Sequence, residues 1–129
     1  MKLKFLKADE NIKKAKATIH SSGKLGFSTD AIQVFKLSER QSIAFAQNEE
    51  DSDTDLYAVI YEEPTEGAYK VNKAGQYFFV NTKAMFDNLN FDYRNNKIIF
   101  DMIKIKYEDS EIIKMVKREM KKKKRETPT

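Results

Sequence analysis

Four acidic side chains between positions 51 and 62 have the spacing of a calcium-binding loop. The first, third, fifth and twelfth places of an EF-hand loop would be held here by Asp51, Asp53, Asp55 and Glu62. Leu56 stands where such a loop requires glycine for its sharp turn, and the residues after it alternate like a strand. The pattern favours a solvated acidic hairpin loop, or a DNA mimic that competes for basic segments. We predict no metal ion and no other cofactor.

The residue types of the chain do not indicate an active site. The chain has one histidine, His20, and no cysteine. A lone imidazole supplies neither a zinc ligand set nor a catalytic triad. The sequence also contains no GxSxG motif, no Walker-type loop and no paired catalytic carboxylates. We therefore predict that the protein is not an enzyme. The lack of cysteine, signal segment and long apolar run predicts a cytoplasmic protein without a membrane partner.

Basic side chains are concentrated at the two ends of the chain. Residues 1–16 carry a net charge of +4 and residues 114–129 a net charge of +6, whereas the residues between them sum to −6. Phosphate groups are attracted to such clusters, so a polyanion would meet the ends first. The cations of these segments that we predict to bind nucleic acid are Lys13, Lys14, Lys16, Lys121, Lys122, Lys123, Lys124 and Arg125. For the C-terminal run, a solubilising tail is the alternative.

The most aromatic stretch is YFFV at residues 77–80, flanked by Lys70 and Lys73, which we add to the predicted nucleic-acid contacts. Strand side chains alternate between two faces, so Phe78 points away from its aromatic neighbours. An outward Phe78 would stack on bases, and Tyr93 in the segment NFDYRNNK is a second candidate. The alternatives are that the aromatic stretch fills the core and that Tyr93 lies in a turn.

An internal repeat indicates which elements hold these residues. ATIHSSGKLGFSTDAIQVFKL returns in outline 52 residues later as YKVNKAGQYFFVNTKAMFDNL. The comparison pairs Gly23 with Gly75, each at a turn that asks for positive φ. Each copy reads as strand, glycine turn, strand, short helix and strand. The units span residues 15–60 and 67–107, and together they predict an α+β, mainly β, domain shaped as a small pseudo-symmetric barrel.

Short helices follow the second strand of each unit. Ser28 or its neighbour can cap the first helix, and Asn81 or Thr82 the second. The apolar residues predicted to face the core from these helices are Ala31, Ile32, Phe35, Met85, Phe86 and Leu89. A third helix is predicted to begin at Ser110, because apolar residues follow it at helical spacing. We thus expect one domain over residues 1–113 and a C-terminal helix with a basic tail over 110–129.

SSGKLGFSTDAIQVFKLSERQSIAFAQ resembles the swapped-hairpin DNA-binding domain of the AbrB and MraZ type. That signature joins a glycine, a basic residue, a branched apolar run ending in isoleucine and proline, a short helix ending in leucine and a following strand. The resemblance implies two interlocking units, from one chain or from a homo-oligomer, and makes Lys24 a DNA contact. Ser28 and Val80 replace the usual proline of the signature, and Gln76 replaces its basic residue in the second unit.

These observations predict a DNA-binding protein, in the role of a transcriptional regulator, that contacts phosphates largely through its basic ends. Two alternatives remain at the level of the sequence. One is a non-enzymatic protein-interaction module whose charged ends keep it soluble. The other is a protein that binds single-stranded DNA through exposed aromatic side chains.

Overall fold

The computed structural model describes residues 1–5, 14–50 and 55–122 of the 129-residue chain. This described part contains nine strands and two short helices. The strands are β1 (Lys16–Ile19), β2 (Leu25–Phe27), β3 (Ser42–Ala46), β4 (Leu56–Tyr61), β5 (Tyr69–Lys70), β6 (Asn72–Ala74), β7 (Tyr77–Val80), β8 (Asn96–Tyr107) and β9 (Ser110–Lys121). The helices are α1 (Thr29–Phe35) and α2 (Lys83–Asn88). The prediction of a mainly β fold is confirmed.

The nine described strands form one antiparallel sheet that curls into a nearly closed barrel. Their order is β5-β3-β4-β9-β8-β1-β2-β7-β6. The first and last strands of this order, β5 and β6, are consecutive in the chain and separated only by Val71. The Val71 N–H donates a hydrogen bond to the Gln41 carbonyl at 3.1 Å. The two ends of the sheet therefore meet within one short stretch of chain, which agrees with the predicted barrel-like shape.

One face of the sheet lines the barrel and forms the core. Ala17 lies opposite Phe27 on one side and opposite Phe100 on the other, and all three are buried. Ile19 and Leu25 are buried on the same face, which confirms the alternation predicted for the first hairpin. Because strand side chains alternate, the intervening residues of these strands point outward.

Both helices pack an apolar face on the core, as their spacing predicts. Ala31 of α1 and Phe86 of α2 are fully buried. The Ser28 hydroxyl accepts a hydrogen bond from the Ala31 N–H at 3.1 Å, so the predicted cap of α1 is confirmed. Thr82 is the N-cap residue of α2, but its hydroxyl does not cap the helix and instead donates to the Gly23 carbonyl at 3.0 Å. The start of α2 is thereby tied to the first hairpin.

Backbone positions with positive φ mark the turns of two hairpins and the ends of both helices. Gly23 has a φ of 87° and Gly75 a φ of 63°, as predicted for the two glycine turns. Lys36 follows α1 with a φ of 51°, and Asn90 follows α2 with a φ of 60°. Left-handed residues at these places end a helix without leaving its last carbonyls unsatisfied.

The prediction of a C-terminal helix from Ser110 is wrong, because this segment forms β9. β9 pairs with β8 along the full length of both strands. Glu108 and Asp109 both have positive φ, which gives the tight two-residue turn between these strands. The apolar residues of this segment have the spacing of a helix. The strand is favoured instead because it forms hydrogen bonds to β8 and buries alternate side chains against the core, and strand formation depends on such tertiary partners.

Candidate nucleic-acid interface

Four adjacent strands, β2, β1, β8 and β9, present one side to solvent. Residues directly opposite each other on neighbouring strands share a face of the sheet. Lys16 of β1 lies opposite Asp101 of β8, and Ile99 of β8 lies opposite Arg118 of β9, so these residues share the outward face. We name the outward residues of these strands, with Lys24 just before β2, the outer strand face. Its cations are Lys16, Lys24, Lys97, Lys114 and Arg118.

Positive charge predominates on the outer strand face. Among the described residues of this face, Asp101 is the one carboxylate, and Arg118 binds it through two contacts of 2.9 and 3.1 Å. Glu111 and Glu119 of β9 occupy the alternate positions, which belong to the other side of the strand. The four lysines thus exceed the negative charge of the face, which is the electrostatic arrangement that attracts a polyanion.

An aromatic pair on β7 borders the outer strand face. The rings of Tyr77 and Phe79 are nearly parallel, with centroids 5.5 Å apart. The Lys24 ammonium lies 4.7 Å from the centroid of Phe79. His20 meets Tyr77 edge-on at 5.5 Å, and its Nε2 contacts the Tyr77 hydroxyl. Burial raises the pKa of the Tyr77 hydroxyl, so it stays protonated at neutral pH.

Gly26 provides the space into which this aromatic cluster packs. It lies opposite Phe79 of β7 on one side and Thr18 of β1 on the other. A Cβ atom at this position would collide with the Tyr77 hydroxyl and with Nε2 of His20. The absence of a side chain at Gly26 therefore lets Tyr77 lean across β2 toward β1.

The cations predicted near the start of the chain lie partly on this interface. Lys16 and Lys24 belong to the outer strand face, and Lys14 is exposed just before β1. Lys70 on β5 and Lys73 on β6 are exposed on strands outside that face, and the Lys73 ammonium lies 5.5 Å from the ring centroid of Phe78. The predicted set is therefore divided between two parts of the surface.

The predicted C-terminal cations begin at the end of β9. Lys121 and Lys122 are exposed, and the Lys122 ammonium donates to the Arg94 carbonyl at 3.1 Å. This bond holds Lys122 beside the loop that precedes β8. Outside the described residues lie Lys13, Lys123, Lys124 and Arg125.

The two aromatic residues predicted to stack on bases are buried. Phe78 is 8% exposed and lies opposite Phe27 in the core, and Tyr93 is 1% exposed. The expected alternation along β7 is present, but the exposed side belongs to Tyr77 and Phe79. Val80 shares the side of Phe78 and is fully buried. Tyr77 and Phe79 are likewise two positions apart, so alternation alone does not tell which side faces inward. The predicted exposure of both rings is wrong.

Tyr93 takes part in a polar cluster at the end of α2. Its hydroxyl donates to Asp87 Oδ1 at 2.5 Å, and the Lys83 ammonium lies 2.7 Å from Asp87 Oδ2. These two hydrogen bonds, that from Lys83 being the larger cause, lower the pKa of the Asp87 carboxyl. The same carboxylate raises the pKa of both Lys83 and Tyr93. The cluster joins α2 to the following loop and presents no free nucleophile.

Three cations of the outer strand face are not among those predicted from the sequence. Lys97, Lys114 and Arg118 lie on β8 and β9, and the last two fall in or beside the segment for which the spacing predicts a helix. The signal for them is the alternation of these residues with inward apolar side chains such as Ile98 and Ile113. The β8 segment is predicted as a strand, and a strand interpretation of the β9 segment as well would have placed the three cations on one side.

A groove of about 310 Å³ lies between α1, β4 and the turn end of the β8–β9 hairpin. Val34, Ile60 and Ile112 contribute apolar walls, and Lys104 faces Glu111 across it at 3.8 Å. Its charges are balanced, unlike those of the outer strand face. In the described part of the chain, no group of three or more histidine or acidic side chains could hold a metal ion.

Comparison of the chain with protein-family models, with curated proteins and with solved structures finds no match. Neither α1 nor α2, the two helices of the described residues, is long and apolar enough to cross a membrane.

Proposed function

We propose that this protein binds DNA as a regulator of transcription, and that it contacts phosphates through the outer strand face together with its basic ends. The observation that carries the proposal is the excess of lysine on that face. The face spans four adjacent strands, and its one described carboxylate, Asp101, is paired with Arg118. Lysine heads on a rigid sheet bind phosphate without reading bases, so we expect affinity with little sequence preference.

We also infer that residues 15–60 and 67–107 are equivalent units of the swapped-hairpin type. Strand pairing supports this, because β2 pairs with its counterpart β7, and β1 pairs with β8 as the corresponding β5 pairs with β3. The helix ends support it as well: the Leu37 N–H bonds to the Ile32 carbonyl, and the Phe91 N–H to the Phe86 carbonyl, both at 3.0 Å. On this basis Leu37 corresponds to Phe91, and the second unit has two extra residues between its glycine turn and its helix.

Matched charge variants test the proposal by fluorescence anisotropy with a labelled duplex at several salt concentrations. One variant carries K16Q, K97Q and K114Q on the outer strand face. The control carries K36Q, K104Q and K106Q, which remove the same charge elsewhere. The slope of log affinity against log salt should become shallower by about 0.9 for each phosphate that is no longer neutralised, and only in the first variant. Equal slopes in the two variants, or no binding by the unchanged protein at low salt, would overturn the proposal.

A truncation separates the contribution of the C-terminal end. Removing residues 123–129 takes away Lys123, Lys124 and Arg125 and leaves all of β9. We expect the salt slope to become shallower by at most about 0.9 for each cation removed, with unchanged unfolding. A truncated protein with an unchanged slope would exclude Lys123, Lys124 and Arg125 from phosphate binding and leave it to the outer strand face and the N-terminal end.

A protein-interaction module is the second candidate, and exposed apolar side chains on β8 favour it. Ile103 is 49% exposed and Tyr107 59% exposed. Tyr107 lies beside the turn of the β8–β9 hairpin, and Ile103 lies four residues before it, opposite Lys114. If the unchanged protein binds no nucleic acid at low salt, this hairpin is the surface to test against protein partners.

A further inference from the structure

We infer that Tyr77 is a base-stacking residue and that the nucleic acid it prefers is single-stranded. The inference rests on the proposed function and specifies its ligand class. It also assigns a residue other than Phe78 and Tyr93, the two stacking candidates predicted from the sequence. The geometry that points to Tyr77 is an exposed ring, held in place by neighbours, beside the lysines of the outer strand face.

Exposure distinguishes Tyr77 from the buried aromatic residues of the chain. Tyr77 is 36% exposed, whereas Phe86, Phe91 and Phe100 pack against one another in the core. The exposed part of the Tyr77 ring is open to a ligand. Nucleobases are suitable ligands, since every base has a flat π-face that can stack on a tyrosine.

The neighbours of Tyr77 fix its ring before any ligand arrives. Phe79 stacks beside it, and His20 contacts its hydroxyl end. Gly26 leaves the space across which the ring leans. A ring held in one orientation loses little side-chain entropy on binding, and such preorganisation increases affinity.

Lysines lie next to the Tyr77 ring, where they can bind the phosphates of the nucleic-acid strand whose base stacks on that ring. The Lys24 ammonium lies over Phe79, and Lys16 lies on β1, on the side toward which Tyr77 leans. A strand whose base stacks on Tyr77 would therefore place its phosphates near two lysines. A base in an intact duplex is stacked on both sides and would first have to leave the helix, which costs a few kcal/mol. Unpaired bases avoid that cost, which favours single strands.

The test compares Y77L with Y61L, a matched loss of a tyrosine on β4, outside the outer strand face, that is 38% exposed. Each is titrated with labelled oligo(dU) and oligo(U) of about 20 nucleotides, longer than a typical single-domain site, and with a duplex of equal length. We expect Y77L to lose about five- to a hundredfold in affinity for a single strand and less than about twofold for the duplex. Y61L should match the unchanged protein on all three probes. The single strand with the larger loss identifies the sugar that is preferred.

Two further measurements keep the inference testable if Y77L unfolds. Y77F keeps the ring and loses only the hydroxyl contact with His20, so its affinity for a single strand should stay near that of the unchanged protein. F79L removes the supporting ring and should weaken single-strand binding several-fold. The inference is overturned if Y77L and Y61L bind single strands equally well, or if Y77L weakens both ligand classes alike. A protein that binds no nucleic acid at all refutes the proposed function instead.

Discussion

The β1–β2 and β6–β7 hairpins use the same local device in different surroundings. Each turns at a glycine with positive φ, Gly23 in the first and Gly75 in the second. Gly23 is buried against the start of α2, where an added Cβ would lie 2.6 Å from Cβ and Cγ of Lys83 and 2.9 Å from its Cα. Nothing lies within 4 Å of the corresponding point at Gly75.

The comparison separates two reasons for a glycine. At Gly75 the requirement is conformational, because an L-residue is strained at positive φ. At Gly23 the requirement is also steric, because the backbone of α2 approaches closely. The Thr82 hydroxyl, which donates to the Gly23 carbonyl, marks the same contact. Identical turn signals in a sequence therefore need not predict equal sensitivity to substitution.

The largest expected effect is the difference between G23A and G75A. G23A should lower the free energy of unfolding by about 3 kcal/mol, because it adds an overpacked methyl group to the strain of positive φ. G75A should lower it by about 1 kcal/mol, from backbone strain alone. Urea unfolding followed by circular dichroism measures both. Equal losses would mean that α2 does not pack on Gly23 as described.

The second prediction concerns the hydroxyl groups at the two N-caps. T82V removes the donor to the buried Gly23 carbonyl and should cost about 2 kcal/mol in unfolding free energy. S28A loses hydrogen bonds from the Ala31 and Lys16 N–H groups and should cost about 1 kcal/mol. Urea unfolding of the two variants gives the comparison. A neutral T82V would show that the contact between α2 and the first hairpin is not stabilising.

The smallest expected effect concerns the pH dependence of the second unit. Asp87 has a lowered pKa because it accepts hydrogen bonds from Lys83 and Tyr93, so its contribution to stability is present above about pH 4 and is lost as the pH falls through the lowered pKa. Lys83 and Tyr93 have raised pKa values, so their contribution is present below about pH 10 and is lost above it. D87N should therefore flatten both limbs of the stability curve.

Thermal unfolding from acid to alkaline pH measures this prediction, with Y93F as the control. Y93F should flatten the alkaline limb only in part, because Lys83 still pairs with Asp87, and it should keep the acid dependence of that pair. In the first unit, the positions that correspond to Lys83 and Asp87 are Thr29 and Gln33, 54 residues earlier in the sequence. These two side chains cannot form an ion pair. An acid limb that D87N leaves unchanged would show that the cluster does not stabilise α2.

Local patterns of sequence predicted much of the fold. The first hairpin, both glycine turns, the Ser28 cap and the apolar faces of α1 and α2 follow from period, glycine placement and capping chemistry, which act within a few residues. The β9 strand does not, because its apolar residues fit a helix as well as a strand. Only pairing with β8 and β4 selects the strand. β4 is distant in the sequence, and pairing with β8 depends on the turn at Glu108.

The candidate site was determined in part by sequence and in part by tertiary structure. The sequence by itself determined the excess of lysine, the alternation along β7 and the presence of an aromatic pair next to cations. Only the tertiary structure decided that Tyr77 and Phe79 face outward while Phe78 faces inward, and that β8 and β9 add their cations to those of β1. The physical reason is that alternation fixes which residues share a face, whereas the elements packed across the barrel decide which face is buried.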